Sequence, residues 1–228
     1  MADNNKSSII SVRTSGLVRV GNSIEVTNKI LKEHEERNLA TKIKTAKIGN
    51  QEWTVKNLDV DCYSNGDPIP QVEDANEWEK LKTGAWCNYE NNSVYGMKFG
   101  KLYNWFAVND PRGLVPNGYK VPSHGDWREL KEFLGGADVA GKELKSKTLW
   151  NDNANGNDNF GFNGLPGGRR GKQGSFEPLG FYVNWWSTRD GSPTNAIDAQ
   201  LNYDNDHLYI LPSDKRSGYY VRCLKYYK

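Results

Sequence analysis

Residues 122–136, PSHGDWRELKEFLGG, decide how the rest of this chain is read. Ser123 stands where a helix N-cap belongs, and Asp126, three residues on, closes a capping box with it. Trp127, Leu130, Phe133 and Leu134 form an apolar face, and Gly135 supplies the stop. A helix packed by a Trp/Leu stripe is therefore expected here. Towards the N-terminus, DANEWEKLKTG (74–84) predicts a second helix. Asp74 is its cap, Glu77 the third residue, Trp78 and Leu81 point inward, and Gly84 stops it. Before that, Lys47 to Trp53 reads as strand, Gly49-Asn50 turn, strand. After Leu149, Gly, Asn and Pro recur every few residues, which predicts short strands joined by loops. Two helices early and irregular β-structure late make an α+β domain.

The 228 residues suffice for one ordinary domain with a small appendage. Apolar residues make up 36% against 23 Gly and 8 Trp, which points to a loop-rich fold packed around aromatics. The appendage is expected over 1–44. There GNSIEVTNKILKEHEER (21–37) reads as a helix capped by Asn22 with Glu25 closing the box, followed by a linker. The main domain is expected over 45–228.

A net charge of +2 gives no electrostatic footprint for nucleic acid, and the one basic cluster, Arg169-Arg170-Gly171-Lys172, is short. No stretch approaches 18 apolar residues, so no membrane span is expected. The N-terminus lacks a charged segment followed by an apolar run, so the chain as it stands reads as cytoplasmic, with virion or cell surface as alternatives.

Catalytic and metal motifs are weak. Cys62, Cys87 and Cys223 form no C-x-x-C pair, and spacing leaves a Cys62–Cys87 bridge open. His34, His124 and His207 are not spaced as metal ligands. Asp126 and Glu129 read as cap and solvated residue, with no partner carboxylate for acid–base work. NGLPGGRRGKQG (163–174) lacks the ending of a phosphate loop. Trp150-Asn151-Asp152 spells a calcium-lectin triplet, but its companion carboxylate–Pro–Asn loop is missing. Asp152, Asn155, Asn157 and Asp158 would be a structural calcium set, short of the six to eight oxygens such an ion takes. No cofactor and no metal is called for.

Six ordered motifs carry a resemblance. They are IGNQEWTVKNLDV (48–60), FGKLYNWFAVNDPRGLVPNGYKVPSHGDWRELKEFLGG (99–136), AGKELKS (140–146), GFNGLPGGRR (161–170), WWST (185–188) and GYYVRC (218–223). Over about residues 46–225 the chain resembles the Fibrobacter succinogenes major paralogous domain. The resemblance implies a C-type-lectin-like fold, related to that of the formylglycine-generating enzyme, with a twisted antiparallel sheet, two helices and long ordered loops. It implies no catalysis: that enzyme works through a pair of nearby cysteines, and Cys223 stands alone. Domains of this kind serve as variable proteins of diversity-generating retroelements, whose C-terminal segment is rewritten at adenines. Ile197 and Ala199 stand where such relatives carry Trp and Arg, a departure that Asn rewriting does not produce.

The segment before the last motif fits that implication. In the window 195–220, Asn, Asp, Tyr and Ser fill 13 of 26 positions. Tyr offers rigid contact area, and Asn, Asp and Ser offer adaptable hydrogen bonds, as in antibody paratopes. The expected ligand surface is Arg189, Asp190, Asp198, Gln200, Asn202, Tyr203, Asp204, Asp206, His207, Tyr209, Ser213, Asp214 and Arg216. The expected partner is a protein. Gly218 to Cys223 is expected to be a buried final strand, with Tyr219, Val221 and Cys223 on one face and Tyr220 and Arg222 on the other. A carbohydrate lectin with exposed Trp and Tyr platforms, or a structural assembly protein, are the alternatives.

Overall fold

A computed structural model of the protein describes residues 43–226. The chain divides into two units between Ile43 and Lys44, and the elements described belong to the second. The helix expected over 21–37 lies outside the described residues.

The expected hairpin is present. Strands β1 (Thr45–Ile48) and β2 (Gln51–Thr54) pair antiparallel across Gly49-Asn50, with Gly49 at φ 60. Helix α1 (Ala75–Glu79) is capped by Asp74, whose carboxylate accepts from the Glu77 amide at 2.8 Å. It stops at Lys80, earlier than expected. Gly84 is needed for close approach instead: a Cβ there would lie 2.1 Å from the Tyr63 hydroxyl.

Next come β3 (Trp86–Cys87), α2 (Ser93–Phe99), β4 (Leu102–Tyr103), α3 (Trp105–Val108) and β5 (Tyr119–Lys120). Helices α2 and α3 are nucleated by Asn92 and Asn104, whose side chains cap the Val94 and Ala107 amides. Helix α4 (His124–Phe133) carries both halves of the capping box between Ser123 and Asp126. Trp127, Leu130 and Leu134 are buried from it, but Phe133 is 52% exposed. Phe133 falls off the stripe defined by positions 127, 130 and 134, and meets Phe160 edge-on at 5.7 Å. Helix α5 (Ala137–Leu144) follows directly after Gly135 and Gly136, both at positive φ.

The β-rich half holds the short hairpin β6 (Arg169–Arg170) and β7 (Phe176–Glu177). It also holds the longer β8 (Tyr182–Asp190), β9 (Asn195–Asn202) and β10 (Tyr209–Asp214), and finally β11 (Leu224–Lys225). Strands β8 and β9 are longer than the short strands expected. One antiparallel sheet has the order β1-β2-β11-β5 and another β10-β9-β8. The architecture is α+β.

The core is aromatic. Trp53 and Trp127 lie 4.6 Å apart, Trp127 stacks on Trp185 at 5.8 Å, and Phe162 meets Trp185 edge-on at 5.4 Å. Such pairs contribute about 0.5–1.5 kcal/mol each beyond area burial. All eight tryptophans are buried.

The segment 218–223 corrects the expectation of an ordinary strand. Both of its sides are buried, and successive residues pair with different elements. Gly218 exchanges backbone bonds with Arg170, and Tyr219 with Tyr103. Tyr220 bonds Asn184 and Trp186, Val221 accepts from Leu58, and Cys223 accepts from Thr54. The segment works as a central pin, and no single neighbouring strand could satisfy a chain crossing so many elements.

Candidate functional site

The pin is fixed by two buried arginines. The Arg222 guanidinium donates to the carbonyls of Thr54 (2.8 Å), Phe162 (2.6 Å) and Asn163 (3.4 Å), and to Asn57 Oδ1 (3.1 Å). It lies 4.4 Å over the Phe162 ring. Burial lowers its pKa to about 9. Arg170 donates to the carbonyls of Gly174, Val72 and Glu73 and packs over Trp78. Gly168, at φ 69, lets the 161–170 motif turn; a Cβ there would sit 2.4 Å from the Tyr89 ring. These motif residues are therefore scaffold.

Above the pin stands the β8–β9–β10 sheet. Antiparallel register places Trp185 opposite Ala199 and Val183 opposite Leu201, and these four face the core. The alternate positions form the opposite face: Tyr182, Asn184 and Trp186 on β8, Asp198, Gln200 and Asn202 on β9, and Tyr209, Leu211 and Ser213 on β10. Five expected residues, Asp198, Gln200, Asn202, Tyr209 and Ser213, are thus brought onto one face. An amide ladder crosses it. Asn184 Nδ2 donates to Asp198 Oδ2 (2.7 Å) and Gln200 Oε1 (3.2 Å), and Gln200 donates to Asn202. The β6–β7 hairpin flanks it, with Arg169 bonded to Glu177 at 2.6 Å and lying 4.7 Å over the Tyr182 ring.

Asp198 corrects the expectation of a surface contact. Its side chain is fully buried between its cross-strand partners Trp186 and Leu211, and Oδ1 has no hydrogen-bond partner. Burial pushes the carboxyl up to about 6, against the opposing pull of Ser213, Asn184 and Arg169. Gln200, Asn202, Tyr209 and Ser213 are half-buried, and Leu211 is 43% exposed.

The remaining expected residues lie at the two ends of the sheet. At one end, Tyr203 meets Phe181 edge-on at 4.8 Å, Asp204 is exposed, and His207 Nε2 is 3.2 Å from Asp138. Asp206 accepts the Gly141 amide through its carbonyl and lies 3.5 Å from Lys145. The Lys145 ammonium, buried beneath this loop, also donates to the Asn205 carbonyl at 2.7 Å, and burial lowers its pKa. At the other end, Arg189 is 3.2 Å from His124 Nδ1 and Asp190 is 2.7 Å from Lys215. Burial, with Arg189 adding repulsion, lowers the His124 pKa. Asp214 holds Arg216 at 2.8 Å. Asn184, Tyr182, Leu211 and Lys215 were missed. The two-residue alternation 198, 200, 202, extended across a hairpin partner, was the signal for Leu211.

The other chemistry is quiet. The three cysteines are free, and burial pushes the thiols of Cys87 and Cys223 up to about 12, which opposes thiolate formation. Among the described residues no group of three or more His, Cys, Asp or Glu could hold a metal ion. Asn155 and Asp158 spend oxygens on the Trp150 and Asn163 amides, and Asn157 donates to Glu143. Among the described residues no helix is long and apolar enough to cross a membrane.

The model of the Fibrobacter succinogenes major domain matches residues 46–225. The chain belongs to this family. The match runs from β1 to β11 and so takes in the pin, both buried arginines and the sheet above them. The family's ordered motifs fall on scaffold positions here: Arg170, Trp185, Trp186, Tyr220 and Arg222 are all buried. Neither the curated proteins nor the solved structures give a match.

Proposed function

We propose that this domain is a non-enzymatic recognition module of C-type-lectin-like fold. It meets a protein ligand with the outer face of β8–β9–β10 and the loops at its ends. In this reading the segment 184–217 is varied by a diversity-generating retroelement while the pin below it stays fixed. One observation carries the proposal: the amide, phenol, hydroxyl and aliphatic side chains of Gln200, Asn202, Tyr209, Ser213 and Leu211, from alternate positions of β9 and β10, share one half-open face opposite Trp185, whereas Asn184 and Trp186 of β8 are buried on that face. Such a mixture suits adaptable contact better than a fixed reaction.

The lectin alternative would have to rest on half-buried tyrosines such as Tyr203 and Tyr209, since all eight tryptophans are buried.

A display library tests the reading. Gln200, Asn202, Tyr209, Leu211 and Ser213 are randomised together on the displayed chain and selected against lysozyme as a stated protein target. The expected result is a displayed, folded population from which lysozyme binders emerge. Loss of display across the library would show that the face belongs to the scaffold.

A further inference from the structure

Next to the Asp214–Arg216 end of the sheet lies an open cleft of about 940 Å³. The end of α1 and the residues after it, Phe106 of α3, the Pro193-Thr194 turn and the end of β10 form its walls. We infer that this cleft is the anchor site for a protein ligand, and that it takes an acidic peptide segment carrying one apolar side chain. The inference deepens the function proposed above and rests on it.

The walls are held in place before any ligand arrives. Trp78 Nε1 donates to the Arg216 carbonyl at 2.6 Å, and Arg216 Nη1 reaches the Glu79 carbonyl at 3.2 Å. The Trp105 amide donates to the Lys215 carbonyl at 2.9 Å, and the Lys215 amide to that of Thr194 at 2.9 Å. Lys215 Nζ is fixed on Asp190 and lies 4.6 Å over the Trp105 ring. A site already ordered loses little entropy on binding.

The charges decide the occupant. Lys215 and Arg216 are neutralised by Asp190 and Asp214. Lys80 and Lys82 are exposed and have no ion pair among the described residues, against one unpaired carboxylate, Glu79. Leu81, Phe106 and Pro193 supply apolar surface between the charges. A carboxylate-bearing segment with a Leu or aromatic anchor complements both features. Two unpaired ammonium groups are too few to follow a nucleic-acid backbone, whose binding scales with the phosphates neutralised.

The test pans a phage-displayed random dodecapeptide library against the full chain at low salt. Enriched peptides are expected to place two or more Asp or Glu within a few residues of Leu, Phe or Trp. A fluorescein-labelled copy of the leading peptide should bind at least about tenfold more weakly to the K80E/K82E variant. It should also weaken as salt rises. Both lysines are exposed, so the variant is expected to fold, and circular dichroism checks this. Absence of acidic enrichment overturns the inference, as does a peptide that binds K80E/K82E undiminished. The sheet-face variant Q200A/N202A separates the two readings. Binding that falls with Q200A/N202A but not with K80E/K82E removes the cleft and leaves the sheet-face reading standing.

Discussion

Asp198 and Arg222 are two buried charges with opposite consequences. Asp198 has a folded-state pKa of about 6, above its ordinary value of 3.8, because burial disfavours the carboxylate. Folding therefore binds a proton more tightly. The penalty is present above pH 6 and fades as pH falls from about 6 towards 4. Asp198→Asn should stabilise the domain by about 1–3 kcal/mol at pH 8, with a smaller gain at pH 5, measured by urea denaturation at both values. An equal gain at the two pH values would contradict this account of the carboxyl. Burial penalises the Arg222 charge as well and lowers its pKa to about 9, but its guanidinium donates to three carbonyls and Asn57 that would otherwise be left unpaired. Arg222→Ala leaves those groups buried and unpaired, and should cost about 3 kcal/mol or more. The sequence shows Arg222 only as one letter of a motif. That the charge is structural rests on carbonyls from residues 54, 162 and 163, which no local pattern brings together.

At the scale of elements, local chemistry is legible and long-range pairing is not. The α4 cap, the β1–β2 hairpin and the α1 cap all follow from residues within a few positions of one another. Ser123→Ala should lower stability by about 1 kcal/mol, read from thermal or urea unfolding, because it strips the capping box. The short α2, α3 and α5 escaped notice, since each is under three turns and starts from an Asn cap or a positive-φ Gly. The polar face of β8–β9–β10 was half legible. The alternation along β9 was in the letters, but its pairing with β10 fixes which side is covered. That side buries Asp198 while leaving Gln200 and Asn202 half open. The half-open positions of this face and the buried positions opposite should differ sharply in tolerance. Gln200→Ala and Leu211→Ala should each change unfolding free energy by less than about 1 kcal/mol. Ala199→Asp, on the Trp185 side, should cost several kcal/mol by burying an unpaired charge. Losses at Gln200 and Leu211 comparable to that at Ala199, measured by denaturation, would mean that these half-open positions are also core.

At the scale of the whole domain, the proposed function needs a fixed scaffold beneath a changeable surface. The pin 218–223 bonds successively to elements drawn from the whole domain, so one short motif close to the C-terminus locks residues from Thr54 onward. In the proposed function, half-open positions such as Gln200, Asn202 and Tyr209 change, whereas Trp186, whose amide donates to the pin at Tyr220, stays fixed. Composition showed the materials, many aromatics and an Asn/Asp/Tyr/Ser-rich segment; the sequence also placed Tyr219 and Tyr220 in a buried segment and Tyr209 outside it, and in the fold both are buried while Tyr209 is half-buried. The most direct measurement is to sequence the flanking locus and compare it with the codons for 184–223. The account predicts a near-copy beside a reverse-transcriptase gene, differing at adenines in codons for outward positions such as Gln200, Asn202, Tyr209 and Ser213. Codons for Trp185, Leu201, Tyr220 and Arg222 should be unchanged. No copy, or a copy whose differences fall equally on those buried positions, would contradict it.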